Sequence, residues 1–188
     1  MARIVGILLA AGAATRFGSN KLLHALPDGT PIAAASLRNL RAALPRVVAV
    51  IRPGALKLEE RLRREGAEVT ACERAEEGMG TSLAHAVRAS RDADGWVVAL
   101  ADMPFIRPET IRRVVERLAA GAAIVAPAWQ GERGHPVGFA GRFGSDLERL
   151  TGDAGARELL KGARATVELV DCDDPGVLRD IDRPEDLR

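Results

Sequence analysis

The sequence has few cysteines and almost no net charge, and each scarcity excludes a class of protein. Its 188 residues include two cysteines, Cys72 and Cys172, which lie far apart and without CxxC or Cys/His spacing. This excludes a disulfide framework and a structural zinc site, and it predicts two buried thiols in a reducing cytoplasm. The 27 basic and 26 acidic residues nearly cancel, so no global field attracts the chain to nucleic acid or to an anionic membrane surface.

Long apolar runs are also missing. None reaches the roughly 18 to 20 residues that span a bilayer, so we expect a soluble, cytoplasmic protein without a membrane partner. One alternative concerns the N-terminus, where Arg3 precedes an apolar stretch ending in small residues, as in a secretory signal. We favour a strand there, because cleavage would remove a strand that the later pattern needs, and Arg16 and Lys21 follow promptly.

What the sequence does contain is an alternation of short apolar runs and longer amphipathic stretches. This alternation is typical of βαβ units that build a mainly parallel sheet, and the length predicts a single domain, 1–188. The predicted strands are 3–9, 47–51, 67–72, 96–101, 122–127, 136–140 and 166–170. Helices are predicted at 31–44, 55–64, 81–90, from Pro108 onward, at 142–150 and at 156–161, followed by a polar tail from Asp173.

The loop from Leu9 to Lys21 follows the first predicted strand and is the main candidate for an anion site. Small residues after a buried strand let backbone N–H groups converge on an anion, and Arg16 and Lys21 would add positive charge. The loop contains neither GxGxxG nor a P-loop ending, which disfavours a dinucleotide oxidoreductase and a P-loop ATPase. A solvated glycine turn with two surface cations remains the alternative.

Asp102 ends the predicted strand 96–101 in the sequence Ala-Asp-Met-Pro. A carboxylate at a strand's carboxyl end points into the same crevice as the first loop, and it suits Mg²⁺, which is held by one or two carboxylates plus substrate phosphates. Alternatively, Asp102 caps the helix that follows Pro108 or stabilises its turn.

The first loop, LAAGxxxRFGxxK, resembles the signature of the MobA-like nucleotidyltransferases, which join CTP or GTP to molybdopterin. The resemblance implies that the nucleotide lies over the residues at the strand end and that two cations neutralise its phosphates. These residues are Leu9, Ala10, Ala11, Gly12, Arg16 and Lys21. Because the family's cytidylyltransferases have LAAG and its guanylyltransferases LAGG, the resemblance implies CTP. Ala14 departs from the glycine or serine of many relatives, which affects one phosphate contact.

Three further segments resemble motifs of the same family on the donor side. Ala-Asp-Met-Pro resembles the family's metal-binding motif, which implies that Asp102 binds Mg²⁺. The resemblance also implies that Asp102, Arg16 and Lys21 are the catalytic residues. Residues 180–187 resemble its closing motif, which implies Asp182 as a second ligand; otherwise Asp182 caps a last short helix. Residues 78–83 resemble GMxxSL, which implies Gly80 and Ser82 near the nucleotide, although Thr81 or Ser82 would also suit a helix cap.

The acceptor side rests on two more segments of resemblance. Residues 134–139 resemble GxPxxF and residues 152–157 resemble GDxGAR, motifs that face the acceptor in this family. The residues implied are His135, Pro136, Asp153 and Arg157. A lone histidine in such a segment is more often structural than catalytic.

Taken over the whole chain, the resemblance implies a three-layer α/β/α sandwich with a mainly parallel, Rossmann-like sheet of the nucleotide-diphospho-sugar transferase type. The implied reaction transfers CMP from CTP to the terminal phosphate of molybdopterin, with Mg²⁺ as cofactor and a molybdenum hydroxylase as the protein receiving the product. Two alternatives stay open. The acceptor is another phosphorylated metabolite, or the chain is a non-catalytic maturation chaperone that delivers molybdenum cofactor.

Overall fold

The computed structural model describes residues 2–12, 21–153, 155–156, 159–160 and 167–187. Within them, helices flank both faces of an eight-stranded sheet, which confirms the predicted three-layer, Rossmann-like α/β/α architecture. The strands are β1 (Ile4–Leu9), β2 (Val47–Ile51), β3 (Glu68–Ala71), β4 (Gly95–Leu100), β5 (Ile124–Trp129), β6 (Glu132–Arg133), β7 (Val137–Ala140) and β8 (Val167–Asp171).

The sheet has a parallel half and a mixed half. Strands run in the order β3-β2-β1-β4-β7-β5-β6, with β8 also paired to β5. The first four are mutually parallel, and Leu9 of β1 lies opposite Leu100 of β4. Strand β7 is antiparallel to both β4 and β5, whereas β8 is parallel to β5. The carboxyl ends of β1, β2 and β4 therefore meet at one edge, where ligands bind in open α/β sheets.

The helices divide between the two faces because alternate side chains of each strand point in opposite directions. They are α1 (Ile32–Arg41), α2 (Leu56–Arg64), α3 (Met79–Ala89), α4 (Pro108–Ala119) and α5 (Gly144–Glu148). In β1, Leu8 packs into the core shared with α1, α2 and α4, while Ile7 packs into the core shared with α3 and α5. All six residues of β1 are buried, as its continuous apolar sequence predicts.

The segment from Asp173, predicted as a polar tail, is partly built into the fold. Two 3₁₀ turns, Pro175–Leu178 and Pro184–Leu187, belong to this segment, and Val177 and Ile181 are completely buried in the core on the α1 side. These apolar residues stand singly among charged ones, so they form neither a helical nor a strand period. Their burial depends on the groove into which the segment packs, which local pattern does not report.

Other differences concern element boundaries. The strand predicted at 122–127 is Ile124–Trp129, and the helix predicted at 81–90 begins at Met79. The helix predicted at 142–150 is shorter, Gly144–Glu148, and a two-residue strand, β6, was not predicted. Parts of the helix predicted at 156–161 and of the strand predicted at 166–170 lie outside the described residues.

Cys72 is buried and Cys172 half-buried, and both thiols are free. Among the described residues, no helix combines the length and the apolar character that crossing a membrane requires.

Candidate functional site

A cavity of about 480 Å³ opens at the carboxyl ends of β1 and β4. This volume lies within the range of small-molecule sites. Of the residues predicted to bind the nucleotide, five line the cavity: Leu9, Ala11, Gly12, Lys21 and Ser82. Asp102 and Asp182, the predicted metal ligands, line it as well.

The cluster of charge in this cavity centres on Lys21, which begins a 3₁₀ turn, Lys21–Leu23, after the first loop. Its Nζ donates to Asp102 Oδ2 at 2.9 Å and to Asp182 Oδ1 at 3.2 Å. Only 13% of the Lys21 side chain is exposed, against 54% for Asp182. Two residues predicted to act on phosphates and on a metal, 81 positions apart in the sequence, thus share one hydrogen bond.

A third carboxylate completes the cluster. Oxygen atoms of Asp102, Asp180 and Asp182 all lie within 4.8 Å of one another. Converging hard oxygen donors of this kind suit Mg²⁺ or Mn²⁺, and the residues present therefore fit a divalent cation.

Electrostatics in the cluster act in opposite directions on its members. Burial alone would lower the pKa of Lys21, but hydrogen bonds and attraction from Asp102, and then from Asp182, outweigh burial and raise it. Burial raises the pKa of Asp180, and repulsion from Asp182 and Asp102 adds to that effect. The cluster thus keeps its lysine cationic and disfavours ionisation of Asp180.

Two of the predicted nucleotide residues lie elsewhere. Ala10 is buried in the core on the α1 side, because the pleat turns it away from Leu9 and Ala11. Gly80 packs against a protein segment, where its N–H donates to Gly152 O at 2.8 Å. Arg16 and Ala14 lie outside the described residues.

Neither Asp102 nor Asp182 caps a helix, which was the alternative role for both residues. Helix α4 begins after Arg107 and takes no side-chain cap from Asp102, whose carboxylate contacts Lys21 instead. In the last turn it is Asp186, not Asp182, that accepts from the backbone N–H groups, here those of Asp182 and Arg183. Helix α3 has Gly78 at its N-cap position and no side-chain cap from Thr81 or Ser82.

A second cavity, of about 260 Å³, adjoins the first. The two share Leu9, Met79, Leu100 and Asp153 as wall residues. The remaining walls are mainly apolar and come from α3, β4 and β7, together with the residues around position 156. The second cavity therefore lies over the β4–β7 pair, where the antiparallel half of the sheet begins.

His135 supplies one of the few polar groups of the second cavity. Its Nδ1 is buried and has no hydrogen-bond partner among the described residues. Burial lowers its pKa; the charge of Asp102 opposes this shift and that of Arg133 supports it. A neutral imidazole that lines a cavity can accept one hydrogen bond and donate one.

The other predicted acceptor residues are distributed around this cavity. Asp153 lines both cavities. Pro136 is buried behind His135, to which a cis peptide bond joins it. Arg157 lies outside the described residues.

Sequence reasoning missed Arg52 and Asp180. Arg52 follows the end of β2, and its Nε donates to Ala11 O at 2.6 Å, which fixes the start of the first loop. The rule applied to Asp102, a charged residue directly after a buried strand, would have identified Arg52. Asp180 stands two positions before Asp182 and carries the same signal, but only the folded tail shows that both carboxylates reach Asp102.

Comparison with known proteins identifies the family to which this geometry belongs. The MobA-like NTP transferase domain matches residues 6–169, which include most of β1, the first loop and Asp102. The chain belongs to the MobA-like NTP transferase family. This MobA-like domain is a nucleotidyltransferase, and the resemblance seen in its motifs is confirmed.

Relatives of the MobA-like domain carry diverse names. The purine catabolism protein PucB of Bacillus subtilis is 34% identical, over 97% of this chain and 93% of PucB. Nicotine blue oxidoreductase of Paenarthrobacter nicotinovorans is 29% identical, over 98% of this chain and 94% of that protein. Rv0371c of Mycobacterium tuberculosis, 27% identical, superposes with a TM-score of 0.85 over 98% of this chain and 95% of Rv0371c. Another structure of Rv0371c is a complex with manganese.

Proposed function

We propose that the MobA-like domain transfers CMP from CTP to the terminal phosphate of molybdopterin and releases pyrophosphate. The observation that supports this most directly is the cluster of Lys21, Asp102 and Asp182 in a cavity that adjoins a second, apolar one. A transferase needs two adjoining compartments, one for each substrate. The carboxyl ends of β1 and β4 lie between them, since Leu9 and Leu100 belong to both walls.

The first cavity is the proposed donor site. The strand-end residues Ala11 and Gly12 form its floor, and Arg52 holds the carbonyl of Ala11 in place. The sequence Leu9-Ala10-Ala11-Gly12 supports CTP over GTP. Lys21, half-buried and kept cationic, offsets negative charge on the triphosphate, and Arg16 is proposed to do the same.

The carboxylates of the cluster are the proposed ligands of Mg²⁺. Asp102 and Asp182 would hold it, with Asp180 near enough to join them. When bound, Mg²⁺ would neutralise phosphate charge and polarise the bond to the leaving pyrophosphate. Phosphoryl-group transfer of this type depends on positioning and charge neutralisation, so we assign no protein nucleophile.

The second cavity is the proposed acceptor site. Its apolar walls, such as Leu83, Val98 and Phe139, would exclude water from the attacking phosphate's vicinity and bury a flat ring system. His135, which lines this cavity, would offer the acceptor one hydrogen bond through its imidazole, and Asp153 lies where the two substrates would meet. Pro136 would orient His135, and Arg157 is the proposed cation of this side.

A second candidate keeps CTP and changes the acceptor to another phosphorylated metabolite. This candidate is favoured by the fact that Lys21 and Asp102 line the first cavity and not the second. The donor half would therefore serve any acceptor whose phosphate reaches it.

Pyrophosphate release distinguishes these functions. Purified protein is incubated with Mg²⁺ and CTP or GTP, with and without molybdopterin. Rapid release with CTP and molybdopterin supports the first proposal. Release only with another phosphorylated acceptor supports the second candidate. Tight binding of molybdopterin without release from any nucleotide would indicate a delivery protein, such as a chaperone for a molybdenum hydroxylase, and would contradict both.

A further inference from the structure

A buried carboxylate outside both cavities ties the C-terminal segment to helix α4. Asp174 is 2% exposed. Its Oδ2 accepts from Arg107 N at 2.9 Å and from Thr110 Oγ1 at 2.7 Å, and its Oδ1 accepts from Gly176 N at 3.1 Å. Burying a carboxylate is unfavourable unless such donors replace water, so these bonds hold the segment in one place.

The residues that follow Asp174 make contacts on both sides of the proposed active site. Val177 O accepts from His135 N at 2.9 Å, and Ile181 N donates to Asp102 O at 2.9 Å. Gly176 packs so closely on the backbone of Phe105 that a Cβ has no room there. Segment 174–182 therefore runs from α4, past the His135 backbone, to the backbone of Asp102.

The same segment carries two of the three clustered carboxylates. Asp180 and Asp182 are exposed at their outer faces, yet their oxygens lie within 4.8 Å of those of Asp102. Carboxylates at this separation repel one another. Lys21 offsets part of this repulsion through its bonds to Asp102 and Asp182. The hydrogen bonds of the buried Asp174 hold the same segment at its other end.

We propose that Asp174 is a positioning residue of the transferase: it fixes segment 174–182 so that Asp180 and Asp182 stay beside Asp102 and His135 faces the second cavity. Asp174 lines neither cavity, so it acts only through these residues. The part of this inference that concerns cation binding rests on the proposed function. The part that concerns the backbone of Ile181 and His135 does not.

Asp174→Asn tests the proposal, because the amide keeps the size of the side chain but removes its charge and one acceptor. Thr110→Val removes one hydrogen-bond donor to Asp174 and leaves Asp174 in place. If Asp174→Asn does not fold, Thr110→Val is the variant that tests the proposal. The matched control is Ile111→Val, which removes a buried methylene from the neighbouring position of α4. Each folded variant is examined by amide hydrogen exchange and by titration of Mn²⁺ in the presence of CTP.

We expect Asp174→Asn to accelerate exchange at the amides of Ile181 and His135 more than at those of β1. It should also weaken Mn²⁺ binding by about tenfold, the lower range for loss of an outer-shell partner. Thr110→Val should act in the same direction with a smaller effect, and Ile111→Val should leave both readouts unchanged.

Unchanged exchange at Ile181 and His135 in folded Asp174→Asn would overturn the proposal, as would an equal change in Ile111→Val. Faster exchange with unchanged Mn²⁺ affinity would also overturn it, since the carboxylates would then hold their places unaided. Failure of wild-type protein to bind Mn²⁺ with CTP would instead contradict the proposed function, and exchange at the two amides would then decide the role of Asp174.

Discussion

The two adjoining cavities differ in how charge is placed in them. In the first, Lys21 lies between Asp102 and Asp182, with Asp180 close by. In the second, the walls are mainly apolar and His135 has its pKa lowered by burial. The parallel half of the sheet forms the charged cavity, because its strand ends converge there. Under the proposed function, the donor and the acceptor place opposite demands on solvent and charge, so variants in each cavity should affect different steps.

The largest effect is expected from Asp102→Asn. Loss of this carboxylate removes a cation ligand and the partner of Lys21, so turnover should fall by at least about a hundredfold, as for loss of one electrostatic stabiliser. Steady-state kinetics with CTP and Mg²⁺ measure it.

The control for this variant is Asp94→Asn, at the opposite end of β4, where the carboxylate accepts from Arg3 N at 2.7 Å. Asp94 lines neither cavity, so turnover should remain close to that of the wild type. Near-normal turnover in Asp102→Asn would contradict the assignment of the charged cavity to the reaction.

His135→Phe should affect the acceptor alone. Phenylalanine fills the space but cannot form the hydrogen bond, so KM for the acceptor should rise by about fivefold to tenfold, in keeping with one neutral hydrogen bond. CTP affinity should not change. His85→Phe is the control, because His85 contacts Thr70 Oγ1 and lines neither cavity. Equal losses of CTP and acceptor affinity would show that the two cavities are not independent.

Gly80→Ala and Gly12→Ala should separate packing from ligand binding. A Cβ at Gly80 would lie 2.8 Å from Thr151 O, whereas one at Gly12 meets no described atom within 4 Å. Gly80→Ala should lower the free energy of unfolding by about 1–3 kcal/mol through overpacking. Gly12→Ala should leave stability nearly unchanged and weaken CTP binding. Urea unfolding and calorimetric titration measure the two effects, and a reversed pattern would contradict both assignments.

The smallest effect is expected far from both cavities, at Glu65. Its hydrogen bond with Arg38 is the main cause that lowers its pKa from 4.5, in contrast to Asp180, whose pKa is raised. A lowered folded-state pKa stabilises the fold at pH above the unfolded value, and this contribution is lost as pH falls through the folded value. Glu65→Gln should therefore reduce stability at pH 7 by less than about 1 kcal/mol. The difference from wild type should vanish in acid, with turnover at pH 7 unchanged. A difference that persists in acid would contradict the ion pair as its source.

The parallel half was more predictable from the sequence than the mixed half. β1 and β4 are continuous apolar runs whose ends carry Leu9 and Asp102, so both the strands and the edge they share follow from pattern. The strand order in the mixed half does not, because β7 inserts between β4 and β5. Contacts between strands distant in sequence depend on the packing of the whole sheet, which local periodicity does not encode.

Two residues of the sequence motifs differ in how far their environment could be predicted from the sequence. Ala10 and Gly80 belong to motifs that resemble nucleotide-binding segments, yet one packs in the core and the other against Thr151. The alternation of side chains along β1 decides to which face the side chain of Ala10 points, and this alternation could be predicted from the sequence. The contact of Gly80 with Thr151 could not be predicted from the sequence, because it joins residues 71 positions apart.

The sequence by itself determined the alternation of strands and helices and the strand-end positions of Leu9 and Asp102, because these follow from apolar runs and from what terminates them. The family and the role of Lys21 followed from the resemblance of its motifs. Only the tertiary structure decided that the segment after Asp173 is anchored by Asp174, buries Val177 and Ile181, and brings Asp180 to Asp102. The reason is physical. Isolated apolar residues and a single buried carboxylate have no period, and their positions are fixed by a surface that exists only once the sheet and α4 have packed.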